Sequence, residues 1–244
     1  MGASMLVGSH VRLWTVGILS SVGAWGAFSA PAAAHVSMTS IGYANQTQLL
    51  TFGVGHGCEG LDTVRIEVRV PEAVTSVRGT ATASWGEPTL ATNDANIVTS
   101  VVWSKEKVRA KDDGYYQFNI RVKVPDAPFT TLYFPAKQTC RGTDGKEVEV
   151  DWAALPEEVK NAKAGEEASP APALTILPVR APGWNKFKVT QALTDLSIFK
   201  DALIVWAGDA AYSGNPTTLE QIKAEKGVTE LTELKADTEI WVKY

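Results

Sequence analysis

The chain has 244 residues, 45% of them hydrophobic and 20% charged, with 23 basic against 27 acidic side chains. This length allows a large packed core, and a formal charge of −4 argues against a general nucleic-acid binder, which needs a clustered basic face. Two cysteines exclude a multi-thiolate zinc site and a cysteine-coordinated iron–sulfur cluster, and with three histidines the position of each one matters.

Residues 1–34 have the composition of a secretory signal peptide. Their one charged residue, Arg12, precedes an apolar run at 13–19, and a small-residue tract at 29–34 suits signal peptidase. The alternative is a transmembrane anchor, but no apolar stretch of about 18 residues is present. We therefore expect a periplasmic or secreted protein with no membrane span after cleavage.

Cleavage after Ala34 would make His35 the first residue of the mature chain. Its free α-amine and ring Nδ1 can then chelate one metal ion through a six-membered ring, and neutral nitrogen donors suit Cu(II). Alternatively, His35 is simply a frayed terminal residue.

Short runs rich in Val, Ile, Phe and Tyr dominate the next part of the chain and are bounded by turn residues. They predict strands at 48–54, 64–70, 97–103, 115–124 and 147–152. Residues 64–70 and 116–124 alternate strictly, so each strand buries one face. Asp144-Gly145 predicts a hairpin turn. The spacing predicts a mainly β protein, an antiparallel β-sandwich over 35–155.

Cys58 and Cys140 both lie in the part predicted to be exported, where disulfides persist. Pairing them would join the turn after an early strand to the late hairpin. The alternative is two free thiols.

Residues 156–173 lack aromatic side chains and end in a Pro-Ala-Pro tract, which predicts a flexible linker. Residues 174–244 predict a small C-terminal α/β annex with strands at 174–179, 202–206 and 238–242. A short helix begins near Thr217 or Thr218, either of which can cap it, and Gly227 stops it.

Six segments give the chain a family resemblance. Four are in the first part: Ala-Ala-His-Val at 33–36, Val-Gly-His-Gly-Cys-Glu-Gly at 54–60, residues 64–71, and Thr-Thr-Leu-Tyr-Phe-Pro-Ala-Lys-Gln-Thr-Cys at 130–140. Two are in the tail: Ala-Ala-Tyr-Ser-Gly-Asn-Pro at 210–216 and Glu-Ile-Trp-Val-Lys-Tyr at 239–244. With these it resembles the YcnI-like family of exported bacterial copper-binding proteins, in its longer proteobacterial form. The resemblance implies an Ig-like or cupredoxin-like β-sandwich that handles copper outside the cytoplasm. Its partners would be the copper ion and copper-trafficking or copper-import proteins of the envelope.

The resemblance also implies the ligands of one Cu(II) ion. The mature N-terminal histidine corresponds to His35, and a strand glutamate corresponds to Glu67. An aromatic side chain covers the metal in this family; Phe134 stands in the expected segment, and Trp85 is a second candidate. Without the resemblance, Glu67 is most simply a solvated cross-strand charge.

His56 is the other histidine in the mature chain. It is either a second nitrogen donor, with Glu59 as an oxygen ligand, or a structural residue of a glycine-rich turn beside the cysteine.

The sequence thus predicts a copper-binding protein for sequestration or delivery rather than an enzyme. One alternative is a copper-dependent oxidase of the polysaccharide monooxygenase type, which also begins with histidine but needs a second one. Another is a metal-free cell-envelope interaction module. The chain has no Gly-x-Ser-x-Gly, P-loop or His-Glu-x-x-His motif.

Overall fold

The computed structural model describes residues 35–112, 114–163, 166 and 168–244. The predicted signal peptide at 1–34 lies outside the described residues. Within the described ranges, no helix combines the length and the apolar character needed to cross a bilayer.

Twelve strands make up the first part of the described chain. In chain order they are β1 (Val36–Met38), β2 (Gly42–Tyr43), β3 (Thr47–Val54), β4 (Asp62–Arg69), β5 (Thr75–Gly79), β6 (Thr89–Thr92), β7 (Val98–Ser104), β8 (Tyr116–Lys123), β9 (Thr131–Tyr133), β10 (Ala136–Arg141), β11 (Glu147–Trp152) and β12 (Ala173–Leu177). A 3-10 turn, Cys58–Gly60, precedes β4, and helix α1 (Pro156–Asn161) follows β11.

Two antiparallel sheets pack face to face. The first has the strand order β1-β3-β8-β5, and the second has the order β11-β10-β4-β7-β6. Their inward side chains come from alternate strand positions, such as Phe52 in β3, Phe118 in β8 and Ile66 in β4, all of which are fully buried. A small third sheet, β2-β12-β9, adjoins them. The predicted mainly β, antiparallel sandwich is confirmed.

Local sequence signals set several of these elements. The predicted hairpin joins β10 to β11, with Gly145 in the left-handed region that its turn requires. The predicted disulfide joins Cys58 to Cys140, and within the described ranges no cysteine is free.

A second sheet-and-helix region follows. It contains β13 (Trp184–Lys188), a 3-10 turn (Leu196–Phe199), β14 (Ile204–Ala207), β15 (Ala210–Tyr212), α2 (Pro216–Ala224), β16 (Thr229–Glu230) and β17 (Glu239–Lys243), with the sheet order β13-β17-β14-β15-β16. Its core includes Phe129 from the sandwich part, whose ring lies 5.1 Å from Phe199 and 5.6 Å from Phe187 between centroids. The sandwich thus contributes a side chain to the annex core.

The structure differs from the sequence prediction at two boundaries. The annex was expected to begin at residue 174, but Leu174 and Ile176 in β12 are fully buried in the sandwich core, because β12 pairs with β2 and β9. The segment predicted to be a linker begins with helix α1. The predicted cap of α2 is corrected as well: Asn215, not Thr217 or Thr218, accepts the two first-turn backbone N–H groups.

Candidate metal centre

The imidazole ring of His35 packs against the indole of Trp152. The ring centroids are 5.1 Å apart and the planes are inclined at 38°. His35 immediately precedes β1, the edge strand of the first sheet, and Trp152 is the last residue of β11, the edge strand of the second sheet. His35 is exposed, whereas Trp152 is only 2% exposed. The structure therefore brings the start of the expected mature chain onto a buried aromatic ring.

A buried glutamine holds Trp152 in place. The indole Nε1 donates to Gln138 Oε1 at 3.3 Å, and Gln138 Nε2 donates to the carbonyl oxygen of His56 and to Thr63 Oγ1, each at 3.0 Å. Gln138 has no exposed surface, so these bonds satisfy both donors and the acceptor of a fully buried amide. This amide links Trp152 to the turn that carries His56.

That turn is fixed by the disulfide and by a glycine. The amide of Cys58 donates to Cys140 Sγ at 2.8 Å. A Cβ atom on Gly57 would lie 1.7 Å from the carbonyl oxygen of Leu61, so only glycine fits there. His56 Nδ1 lies 2.8 Å from the carbonyl oxygen of Gly57 and must donate to it, so in a neutral imidazole Nε2 is the ring nitrogen with a lone pair.

Glu59 is in the 3-10 turn that follows, with a left-handed backbone at φ 50°. Its carboxylate is largely exposed and lies 3.8 Å from Lys146 Nζ. Among the described residues, no group of three or more His, Cys, Asp or Glu side chains is arranged to hold a metal ion.

Glu67 lies on the outer face of the second sheet. Its neighbours Ile66 and Val68 point into the core, and its carboxylate forms an ion pair with Arg65 at 2.9 Å. Val68 belongs to the same inward cross-strand row as Ala136 and Trp152. Because side chains alternate between faces, the structure puts Glu67 and the His35–Trp152 pair on opposite faces of this sheet.

Other charged side chains occupy the outer face around Glu67. Lys137, its cross-strand neighbour in β10, forms an ion pair with Glu149 at 3.1 Å. The hydrogen bond from Lys137 lowers the pKa of the Glu149 carboxyl, with smaller support from Thr139. The surroundings of Glu67 are thus an exposed ladder of alternating charges.

The two aromatic residues predicted to cover the metal occupy other places. Phe134 is fully buried, with its ring 5.6 Å from that of Phe52. Trp85 is 5% exposed and packs edge-on against Phe118 at 4.9 Å. Both belong to the sandwich core, and the aromatic ring that the structure brings to His35 is Trp152.

A buried charge network lies behind Gln138. Thr63, which accepts from Gln138, donates to Asp112 Oδ2 through its hydroxyl at 2.8 Å and through its backbone amide at 3.1 Å. Nearby, the buried carboxylate of Asp62 is paired with Lys105 at 2.9 Å. Since unpaired buried charges are costly, these pairings fix the geometry behind the Trp152 anchor.

Sequence reasoning missed Trp152, Gln138 and this network. Trp152 could have been found from the sequence, because it ends the strand predicted at 147–152 and a large aromatic residue there is expected to point into the core. The contact between His35 and Trp152 could not be predicted, because it depends on the pairing of β1 with β3, which no local sequence pattern indicates.

The fold and this site define the first part of the chain as an antiparallel, disulfide-linked β-sandwich module. The model of the family described as a domain of unknown function, DUF1775, matches residues 35–176. The chain belongs to the DUF1775 family.

Solved structures with similarity to the chain include a protein from Nocardia farcinica with an immunoglobulin-like fold. It is 26% identical, with 59% of this chain and 98% of that chain covered and a TM-score of 0.47. The major pilin subunit of Bacillus cereus is 10% identical, with 63% and 42% covered and a TM-score of 0.34. No protein with a curated description matches the chain.

Proposed function

We propose that this protein is an exported, periplasmic copper-binding protein that holds one Cu(II) ion at His35, for sequestration or delivery to copper-handling proteins of the envelope. The observation that carries the proposal is the packing of the His35 ring against Trp152, with centroids 5.1 Å apart. Four of the six segments that give the YcnI-like resemblance lie almost wholly within the DUF1775 match at 35–176, and the two tail segments lie beyond it.

The donors at His35 fit Cu(II) better than other metals. Cleavage after Ala34 supplies an amine beside the imidazole. These two neutral nitrogens would bind in one chelate ring, and Cu(II) has the highest affinity of the first-row divalent ions for such donors. Copper bound there would need no cluster of three side-chain ligands, which the described residues do not provide. Trp152, buried and hydrogen-bonded through Gln138, gives the imidazole a fixed apolar surface on which to rest.

Glu67 stays the predicted oxygen ligand, and the proposal makes its role testable. In the described geometry its carboxylate pairs with Arg65 on the face opposite the His35–Trp152 pair. Binding the same copper ion as His35 would therefore require both that ion pair and the His35–Trp152 packing to break. His56 could instead donate through Nε2, because its Nδ1 is already used.

The decisive experiment compares two proteins with identical side chains. Both begin at His35, and in one of them the α-amine is acetylated, which turns it into an amide. We expect the protein with the free amine to bind one Cu(II) with nitrogen couplings in its electron paramagnetic resonance spectrum. The acetylated protein should bind at least about tenfold more weakly, since the chelate is lost. Equal binding by both proteins would refute the N-terminal chelate.

Single substitutions then identify the remaining ligands. His35→Ala should abolish the signal, Glu67→Gln should weaken binding, and His56→Ala should leave it unchanged. The reverse order for the last two would move the site to the turn containing His56 and Glu59. Copper-dependent oxidation of a polysaccharide with hydrogen peroxide would instead favour the oxidase alternative.

A further inference from the structure

Three tryptophans share the outer face of the C-terminal sheet. Trp184 is in β13, Trp241 in β17 and Trp206 in β14, which are adjacent strands. Trp241 is directly opposite Trp206 in the strand pairing. Trp184 and Trp241 are 50% and 49% exposed, while residues that alternate with Trp241 are buried in the annex core. We call Trp184, Trp206 and Trp241 the tryptophan face.

The tryptophan face forms a shallow concavity. A space of about 410 Å³ is lined by the three indoles and Gly208. Its size falls within the range of small-ligand sites, and large exposed apolar groups clustered in this way usually mark a binding surface. The core does not use these rings, because the annex packs its opposite face.

Two lysines set the charge of the tryptophan face. Lys186 Nζ lies 5.9 Å from the Trp241 ring centroid, and Lys243 Nζ lies 5.8 Å from that of Trp184. Lys186 is also paired with Glu239 at 2.9 Å. Cations already lie over these indoles, so a quaternary ammonium ligand, the usual guest of an aromatic cage, would be repelled. Glu239 offsets the charge of Lys186, and the remaining positive charge of Lys243 favours a ligand that carries anionic groups.

The area of the tryptophan face disfavours a stable protein interface. An indole side chain contributes about 150–250 Å² when fully exposed, so three partly exposed rings offer roughly 300 Å². A stable protein partner buries about 800 Å² on each side. A narrow row of rings is better matched to a chain of flat units that bind one ring at a time.

We infer that the tryptophan face binds an anionic polysaccharide. The apolar faces of pyranose rings can stack on the indoles, while their carboxylates meet Lys186 and Lys243 in charge-assisted hydrogen bonds. This site uses none of the groups assigned to copper, and its failure would leave the copper proposal intact.

The test uses copper-free protein beginning at His35 and polygalacturonate as the probe. Binding is measured by affinity electrophoresis and by tryptophan fluorescence. We expect retardation that weakens with added salt. Trp241→Ala should weaken binding about tenfold, Trp241→Phe should keep most of it, and Lys243→Gln should weaken it less than Trp241→Ala does. The matched control is Leu90→Ala, which truncates a 45% exposed side chain on β6 and should change nothing.

Three results would overturn the proposal. One is the absence of polygalacturonate binding, and another is binding that survives Trp241→Ala in a protein with an unchanged thermal transition. The third is equal binding of neutral dextran, which would remove the role of the lysines. A dimer in sedimentation that Trp241→Ala dissociates, with no polysaccharide bound, would assign the tryptophan face to self-association.

Discussion

Replacing Gln138 with leucine tests whether the buried amide anchors Trp152. Gln138→Leu keeps a side chain of similar size, so no large cavity forms at this fully buried position. It removes the acceptor of the Trp152 indole N–H and the donor to the carbonyl oxygen of His56. The Thr63 hydroxyl keeps its bond to Asp112 and is not left without a partner.

The magnitude follows from the two polar groups that lose their partner. Leaving a buried donor or acceptor unsatisfied costs about 1–3 kcal/mol each. Trp152 is almost completely buried, and His56 is half-buried, so water can reach the second group more easily than the first. We therefore expect Gln138→Leu to lower the free energy of unfolding by about 2–4 kcal/mol.

Urea unfolding followed by far-ultraviolet circular dichroism measures this difference. The midpoint should fall while the slope of the transition stays the same, because the change affects stability and not the surface exposed on unfolding. Gln117→Leu is the matched control, since Gln117 is an exposed strand residue of the same type. A loss below about 0.5 kcal/mol, no larger than that of an ordinary surface substitution, would refute the anchoring role.

Two further predictions concern the disulfide and Tyr244. Replacing Cys58 and Cys140 together with alanine should lower the free energy of unfolding, measured in urea, by about 4.5 kcal/mol. The reason is that the disulfide closes a loop of 82 residues and so reduces the entropy of the unfolded chain. A loss below about 1 kcal/mol would contradict this explanation. Burial raises the pKa of the Tyr244 phenol above its ordinary value, against an opposing hydrogen bond from Arg180. The folded protein therefore favours the neutral phenol, and this contribution to stability is present below the unfolded pKa and lost as pH rises through the folded pKa. Tyrosinate absorbance should show a late-titrating phenol that is missing in Tyr244→Phe, and identical titrations of the two proteins would contradict the shift.

The strands of the sandwich were largely readable from the sequence. The strict alternation at 64–70 and 116–124 corresponds to β4 and β8, whose inward residues Ile66, Phe118 and Ile120 are fully buried. Alternation is a local signal, because each side chain points to the face opposite its neighbour regardless of which strand lies alongside. The Asp144-Gly145 turn was readable for the same reason, since the backbone conformation it needs favours glycine.

The boundary of the annex was not readable in this way. Residues 174–177 look like any short apolar strand, and which core they enter depends on pairing with β2 and β9, at least 40 residues away in sequence. The cap of α2 was a local decision, but the sequence prediction named Thr217 and Thr218 for it. Asn215 prevails because Pro216, which has no N–H, occupies the first helical position that follows it.

The candidate site also has features that the sequence determines and features that only the tertiary structure decides. The sequence by itself determined that His35 follows a small-residue tract, that two cysteines are available to pair, and that Glu67 alternates with buried residues, because these depend on chemistry within a few residues. Only the tertiary structure decided that His35 meets Trp152 rather than Phe134 or Trp85, and that Glu67 faces away from this pair. Those outcomes depend on which strand edges lie together and in which register, and a shift of one residue in register would reverse the face of every side chain involved.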